Sequence, residues 1–301
     1  MTPHAVRQPD KQLWLAALKP PMYSVAVMPI LVGSAIAYAE TDQFHSGVFW
    51  IFLLSAVLLL VWENLSNDVF DAETGIDQNK HHSLVNLTRN RALIFGLGNL
   101  CLALGIAGIL AIALWQQDIT VLGLILVCCG LGYLYQGPPF RLGYQGLGEP
   151  LCFVSFGLGV MAAYYSQTQS WSYSAAGAAG MVGITTTLVL FCSHFHQVAD
   201  DLAAGKRSPI VRLGTQRGAQ LLPWLCGSVF AIALGGVGVG LFPSSALLLL
   251  LSLPFAYQLC WHVARYHAQP ERVQNAKFVA IRFHLCSGLL LCGGFLAASR
   301  L

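Results

Sequence analysis

Residues 46–77 read SGVFWIFLLSAVLLLVWENLSNDVFDAETGID, and this stretch decides the fold class. Its first part is continuously apolar and long enough to cross a bilayer, since a transmembrane helix needs about 20 mostly apolar residues. It does not alternate between polar and apolar positions, as a strand of a membrane barrel would. The run then passes without a break into amides and carboxylates. The stretch therefore predicts a membrane-spanning helix that carries polar chemistry at one end.

Composition extends this prediction to the whole chain. Of the 301 residues, 56% are apolar and only 10% are charged, whereas about a quarter of a soluble domain is charged. Because backbone groups in lipid must bond within the protein, continuous apolar segments must be helices. We therefore expect residues 1–301 to form a single all-α membrane domain, a bundle of nine transmembrane helices. The nine segments are 21–40, 46–66, 92–115, 119–136, 149–167, 173–193, 218–242, 245–266 and 280–299. Pro254 interrupts the eighth segment and is expected to kink it.

The positions of Lys and Arg predict the orientation. They occur in the N-terminal segment and in the connections after helices two, four, six and eight, whereas the other four connections contain none. Because cytoplasmic loops are rich in Lys and Arg, we expect the N-terminus and these connections to be cytoplasmic. The two long polar loops, after helices two and six, lie on that side. The active site is therefore expected at the cytoplasmic face of a plasma or thylakoid membrane.

Four polar residues of the quoted stretch are spaced as one face of a helix. Asn64, Asn67, Asp68 and Asp71 follow the i, i+3, i+4, i+7 pattern. Unpaired carboxylates at the end of a membrane helix are costly and usually functional. Oxygen ligands of this kind suit Mg²⁺, which commonly joins one or two carboxylates to substrate phosphates. A solvated acidic loop is the alternative interpretation.

A second polar motif follows helix six. Gln197 and Asp201 are one helical turn apart, and His194 can join them. Lys206 and Arg207 add fixed positive charge, which binds phosphate. Acidic and basic groups side by side are what a metal–diphosphate complex needs. The His-x-His spacing points the two histidines to different sides of a helix, which favours hydrogen bonding over the alternative of zinc binding.

A third stretch, residues 133–150, follows helix four and is rich in turn residues. Within it, Arg141 can pair with an anion, and Tyr135 and Tyr144 can stack on an aromatic substrate. Lys19, just before the first helix, can face the same cavity. The alternatives are a plain connecting loop and, for Lys19, an interfacial anchor that extends toward the headgroups.

At these residues the chain resembles the UbiA superfamily of intramembrane aromatic prenyltransferases. That family has nine helices around a central cavity, with Asp-rich motifs after helices two and six. The residues that match the first motif are Asn67, Asp68, Asp71, Gly75 and Asp77, with Gly75 at a position where Asp is common. In the second motif Asp201 matches, and Gln197 stands where the family usually has its first Asp.

Further stretches resemble one branch of this superfamily, which prenylates 1,4-dihydroxy-2-naphthoate. They are Asp77 and residues 146–150, 205–206 and 211–214, while residues 194–197 are similar to the cyanobacterial and plastid subgroup that makes phylloquinone. The resemblance implies transfer of a prenyl chain, here phytyl, from its diphosphate to 1,4-dihydroxy-2-naphthoate or 2-carboxy-1,4-naphthoquinone. The ring carboxylate would be lost as CO₂, in phylloquinone (vitamin K1) or menaquinone biosynthesis.

The resemblance also implies roles for individual residues, with Mg²⁺ neutralising the departing diphosphate. The implied catalytic residues are Asp71, Asp201, Lys206 and Arg141. The implied metal ligands are Asn67, Asp68, Asp71, Asp77 and Asp201. The implied diphosphate-binding residues are Asn64, Gln197, Lys206 and Arg207. The implied acceptor-binding residues are Lys19, Tyr135, Arg141, Tyr144 and His194.

Two rival interpretations stay open at this point. A cation-coupled transporter also carries intramembrane acids, but its site usually lies near the bilayer midplane, whereas both acidic motifs here lie at one face. A related prenyltransferase could instead use another aromatic acceptor, such as homogentisate or 4-hydroxybenzoate. The expected partners are the prenyl diphosphate, the acceptor and the lipid bilayer, with no nucleic acid. The sequence predicts no particular oligomeric state.

Overall fold

The computed structural model describes residues 20–76 and 83–298. Within these ranges every regular element is helical, which confirms the predicted all-α class. Lys19 and Asp77, both predicted site residues, lie outside the described residues. The α-helices are α1 (Ser24–Thr41), α2 (Ser46–Thr74), α3 (Leu84–Thr88), α4 (Arg91–Gln116), α5 (Thr120–Gln136), α6 (Gly148–Thr168), α7 (Tyr173–Ser193), α8 (Val198–Ala203), α9 (Pro209–Leu213), α10 (Thr215–Gly238), α11 (Leu253–Tyr266), α12 (Pro270–Val273) and α13 (Ala276–Ala298). Two 3₁₀ helices cover Pro20–Tyr23 and Ser244–Ser252.

Helices occupy all nine predicted segments, but they do not all qualify equally as membrane spans. In the described part of the chain, seven helical stretches are long and apolar enough to cross a membrane. They are Pro20–Thr41, Ser46–Thr74, Arg91–Gln116, Tyr173–Ser193, Thr215–Gly238, Ser244–Tyr266 and Pro270–Ala298. Of the remaining two segments, α5 is apolar but shorter. Helix α6 is long but has polar residues at both ends, with Glu149 near its start and Gln167 near its finish.

The long helices close into one bundle. Each packs against the next along the chain, and α13 returns to pack against α1. Most of α1, α7 and α13 is buried, whereas only about a third of α2, α4 and α10 is. The outer surface exposes large apolar side chains, including Trp50, Leu54, Leu114, Trp224 and Tyr257. Such a surface suits lipid rather than water, as the sequence predicts.

Proline and glycine shape the bundle where the sequence places them. The eighth predicted span is divided at Pro254, which lies in the first turn of α11, directly after the 3₁₀ helix. Proline has no N–H to donate, so it is tolerated at this point of a helix. Gly33 brings α1 against α6, because a Cβ atom at this position would lie 2.4 Å from the Val160 carbonyl oxygen.

Helix α2 continues well beyond the predicted boundary at residue 66. Its 29 residues end at Thr74, followed by Gly75 in a left-handed conformation with φ of 75°. Glycine adopts this conformation without strain. The acidic motif is therefore part of a continuous helix, and helical geometry alone determines which of its side chains face the bundle interior.

Candidate active site

A cavity of about 980 Å³ lies inside the bundle and joins the two acidic motifs. Asn64, Asn67 and Asp71 line it from α2, and Gln197 and Asp201 line it from the region after α7. More than 120 positions separate the two motifs in the sequence, yet they face the same space. Residues of both motifs therefore line one cavity.

Asp68 is the exception among the residues predicted to share a helical face. It does not line the cavity, and its side chain is buried on another side of α2. Its Oδ2 atom accepts a hydrogen bond of 2.9 Å from the backbone N–H of Leu84, at the start of α3. Successive helix residues differ by about 100° in direction, so Asp68 diverges from Asn67. The structure thus places Asp68 at the anchor point of α3 and not with the predicted metal ligands.

Among the described residues, two side chains donate hydrogen bonds to Asp71. Its Oδ1 atom accepts from Gln136 Nε2 at 3.1 Å and from the Tyr144 hydroxyl at 3.0 Å. That hydroxyl also lies 2.7 Å from Thr74 Oγ1. Burial and the charge of Asp71 raise the pKa of Tyr144 well above its ordinary value, so the phenol stays protonated and donates a hydrogen bond to the carboxylate. Tyr144, predicted to bind the acceptor, instead orients Asp71 in this structure.

Asp201 is the centre of the second motif and is almost completely buried. Lys206 Nζ lies 3.6 Å from its Oδ1 atom, and His194 Nδ1 lies 3.3 Å from its Oδ2 atom. Burial alone would raise the pKa of Asp201, but the contact with His194 and the charge of Lys206 outweigh it and hold this pKa below the usual value. The folded protein therefore keeps an ionised carboxylate in the cavity wall.

Tyr144 links the two motifs physically. Its hydroxyl bonds Asp71, while its ring lies 5.7 Å from the Lys206 ammonium group, within the range of a cation–π contact. Its carbonyl oxygen accepts the backbone N–H of Arg207 at 2.8 Å. One loop residue thus contacts both the first acidic motif, on α2, and the basic end of the second motif.

The predicted roles of the two arginines have no counterpart in the geometry. Neither Arg141 nor Arg207 lines the cavity. Arg141 donates to Glu73 Oε2 at 2.8 Å, and Arg91 pairs with the same carboxylate. The Arg207 side chain is exposed, and only its backbone joins the site. Lys206 is the buried cation beside Asp201.

His194 lies between two carboxylates. Its Nε2 atom is 3.5 Å from Glu149 Oε1, on the side opposite Asp201. Within residues 20–76 and 83–298, no three His, Cys, Asp or Glu side chains are grouped as a metal site of their own.

A Mg²⁺ ion fits the donors that the cavity does provide. The Asn67 Oδ1 atom is buried and has no hydrogen-bond partner among the described residues. It lies one helical turn from Asp71 on the same face, so an amide and a carboxylate oxygen point into one space. Hard oxygen donors in small number, completed by substrate phosphates, are the usual environment of Mg²⁺.

The structure also identifies cavity residues that the sequence patterns did not. Gln136 ends α5, and Glu63 lies on α2 before the motif. A further group comes from the connection between α12 and α13 and consists of Gln274, Asn275, Lys277 and Phe278. The signal for this last group was available, since polar residues there follow an apolar span on the predicted cytoplasmic side.

Comparison with known proteins gives the class of this bundle and cavity. The model of the UbiA prenyltransferase family matches residues 26–287, and the chain belongs to that family. The predicted resemblance is therefore confirmed, and the transporter interpretation is not favoured.

Individual relatives are more specific. The chain is 56% identical over 286 residues to the 2-carboxy-1,4-naphthoquinone phytyltransferase of Synechocystis sp. (strain ATCC 27184 / PCC 6803 / Kazusa), covering 95% of this chain and 93% of that protein. It is 40% identical over 298 residues to the chloroplastic 2-carboxy-1,4-naphthoquinone phytyltransferase of Arabidopsis thaliana, covering 96% and 78%. A UbiA homolog from Archaeoglobus fulgidus, solved with DMAPP and Mg²⁺, superposes with a TM-score of 0.63 at 16% identity, covering 96% of this chain and 99% of that one. This last likeness shows the shared fold.

Proposed function

We propose that this protein is a Mg²⁺-dependent membrane prenyltransferase that transfers a phytyl chain from its diphosphate to a naphthoate acceptor, with loss of the ring carboxylate as CO₂. The acceptor is 1,4-dihydroxy-2-naphthoate or 2-carboxy-1,4-naphthoquinone, and the product leads to phylloquinone or menaquinone. One observation carries the proposal. Two oxygen-rich motifs, distant in sequence, face one cavity that also contains the buried cation Lys206.

The cavity separates the tasks that such a reaction requires. Its motif end is polar, whereas its other walls are apolar and include Leu60, Leu131, Phe156 and Val189. The diphosphate would bind at the polar end, and the prenyl chain would lie along the apolar walls. When the C–O bond to the diphosphate breaks, its electron pair leaves with the diphosphate. Apolar walls then keep water away from the allylic cation until the ring attacks it.

The residues at the polar end stabilise the charge that develops on the leaving group. Lys206 provides a fixed positive charge, and Gln197 and Asn64 provide amide groups for hydrogen bonds to phosphate oxygens. Asn67, Asp71 and Asp201 would hold the Mg²⁺. Bound there, the ion would neutralise negative charge on the diphosphate. Gln136 and Tyr144 fix the Asp71 carboxylate, and His194 and Lys206 fix that of Asp201.

We further propose that the chain is one membrane domain that crosses the bilayer nine times, with its N-terminus and active site in the cytoplasm. Helices α5 and α6 would be the two additional spans. They pack between α4 and α7 in the closed bundle, so they share its environment. The asymmetry of Lys and Arg between the two sides supports this orientation. The membrane would be either a plasma membrane or a thylakoid membrane.

A competition assay tests the proposed function. The purified protein is supplied with Mg²⁺, 1,4-dihydroxy-2-naphthoate and equal amounts of phytyl, geranylgeranyl and longer prenyl diphosphates, and the products are identified by mass spectrometry. Parallel reactions offer homogentisate and 4-hydroxybenzoate. The proposal predicts a decarboxylated phytyl naphthalenediol, or its quinone after oxidation, as the main product. Prenylation of only the other acceptors, or no product together with ion flux in liposomes, would contradict it.

A further inference from the structure

One carboxylate in the cavity wall has no part in the proposed metal site. Glu63 lies on α2, four residues before Asn67 and eight before Asp71, and lines the cavity with them. At a rise of about 1.5 Å per residue, it is about 6 Å deeper along the helix than Asn67 and about 12 Å deeper than Asp71. It therefore stands between the polar motif and the apolar part of the cavity.

The Glu63 carboxylate has no protein partner in the described residues. No hydrogen bond or ion pair reaches it, in contrast to Asp71, Asp201 and Glu73. The facing wall is Gly132, where an added Cβ atom would lie 3.6 Å from Glu63 Cδ. Glycine thus leaves space beside the carboxylate. An unpaired carboxylate in a membrane helix is costly, so it is usually functional.

The chemistry of the proposed substrates shows what this carboxylate can bind. A diphosphate presents acceptor oxygens and no hydrogen-bond donor, so it has no hydrogen bond to give to a carboxylate. A prenyl chain is apolar and provides no hydrogen-bond donor. In the dihydroxy form of the acceptor, each ring hydroxyl is a hydrogen-bond donor, and a carboxylate oxygen is a strong acceptor for it.

We infer that Glu63 determines acceptor specificity by accepting a hydrogen bond from a hydroxyl group of the aromatic ring. The inference rests on the proposed function and deepens it, because it assigns a residue to a defined group of the acceptor. Since Asn67 and Asp71 lie one and two turns nearer the motif end, a ring bound at Glu63 lies next to the carbon from which the diphosphate departs. Gly132 provides the space for the ring.

The first test is kinetic. Glu63→Leu should raise the KM for 1,4-dihydroxy-2-naphthoate about tenfold, because it removes the hydrogen bond from the ring hydroxyl. The KM for phytyl diphosphate and the half-saturating Mg²⁺ concentration should stay within twofold of the wild type. Glu63→Gln, whose amide oxygen can still accept a hydrogen bond, should give an intermediate KM. The exposed Glu271, changed to Leu, is the matched control and should leave all three values unchanged.

The second test needs no turnover. Protection against heat denaturation in detergent is measured with 1,4-dihydroxy-2-naphthoate and with its 1,4-dimethoxy analogue, which lacks the hydroxyl donors. The wild type should bind the dihydroxy compound more tightly, and Glu63→Leu should lose most of this preference. Gly132→Val, which fills the facing space, should weaken binding of both compounds without altering the affinity for the diphosphate.

The outcomes separate this inference from the function on which it rests. A wild-type protein that forms no prenylated naphthalenediol would overturn the proposed function, and the inference with it. An active wild type whose Glu63→Leu variant keeps its acceptor KM and its preference for the dihydroxy compound would overturn the inference alone. Equal increases in the KM for acceptor and diphosphate would likewise assign Glu63 a general structural role.

Discussion

The two acidic motifs reach the same cavity by different structural means. The first motif lies on α2, an uninterrupted helix of 29 residues, and its side chains are aimed by helical periodicity. The second follows the end of α7 at Ser193 and continues on α8, a helix of only six residues. Its Asp201 is held by contacts with His194 and Lys206 rather than by a long helix. Periodicity can therefore predict the first motif, whereas the second depends on tertiary contacts.

The largest effect is expected from the motif on the rigid helix. Asp71→Ala removes the carboxylate that faces Asn67 and should lower kcat/KM by at least about a hundredfold, because charge stabilisation at the leaving group is lost. Alanine favours helix, so the variant should insert normally. Activity and the yield of folded protein are measured in parallel, with Glu271→Ala as the control. Turnover near that of the wild type would remove Asp71 from the metal site.

A smaller effect is expected from the motif that depends on contacts. Asp201→Asn keeps the shape of the side chain but removes its charge, so the Mg²⁺ concentration that gives half-maximal activity should rise about tenfold. Saturating Mg²⁺ should restore much of the activity. An unchanged Mg²⁺ titration would count against Asp201 as a ligand. Only the first motif would then remain as a proposed metal site.

Two substitutions of Tyr144 distinguish its contact with the first motif from its contact with the second. Tyr144→Phe deletes the hydroxyl that bonds Asp71 but keeps the ring near Lys206. We expect kcat to fall about three- to tenfold, since one hydrogen bond to a charged group is lost. Tyr144→Leu removes the ring as well and should also raise the KM for the diphosphate. Identical kinetics for the two variants would show that the ring has no role of its own.

The smallest effect is expected at Asp68, which separates anchoring from metal binding on α2. Asp68→Asn weakens the bond to the Leu84 N–H and should lower the free energy of unfolding by about 1 kcal/mol. The Mg²⁺ titration should stay as in the wild type. Thermal unfolding in detergent and the titration are compared on the same preparation. A large increase in the Mg²⁺ requirement with unchanged stability would return Asp68 to the ligand set.

The sequence predicted most of the fold because lipid imposes simple requirements on it. Continuous apolar runs had to be helices, and each of the nine predicted segments is helical in the described residues. Seven of these stretches also meet the length and composition of a span. Residues 119–136 form an apolar helix that is shorter. Residues 149–167 carry polar groups at both ends of the helix, and such groups can form hydrogen bonds within the bundle. An example is Gln167, whose Oε1 atom accepts the His45 N–H.

The site was predictable where one helix determines it. Asn64, Asn67 and Asp71 line the cavity as their spacing predicts. Spacing did not distinguish Asp68, whose carboxylate instead accepts a hydrogen bond from the first residue of α3. Arg141 was predicted to pair with a substrate anion because it is a basic residue in a turn-rich loop on the predicted cytoplasmic side. Its actual partner, Glu73, lies 68 residues away in the chain. Such long-range pairs depend on the packing of α2 against the loop after α5, which no local pattern contains.

The central claim is that the two motifs hold one diphosphate together, and a double-mutant cycle tests it most directly. The affinity of a non-reactive thiolodiphosphate analogue is measured by calorimetry with Mg²⁺ for the wild type, Asn67→Ala, Asp201→Asn and the double variant. Groups that share one ligand complex are coupled, so the two losses should fail to add by about 1 kcal/mol or more. Losses that add within about 0.3 kcal/mol would mean that the two motifs bind independently, and would contradict this account.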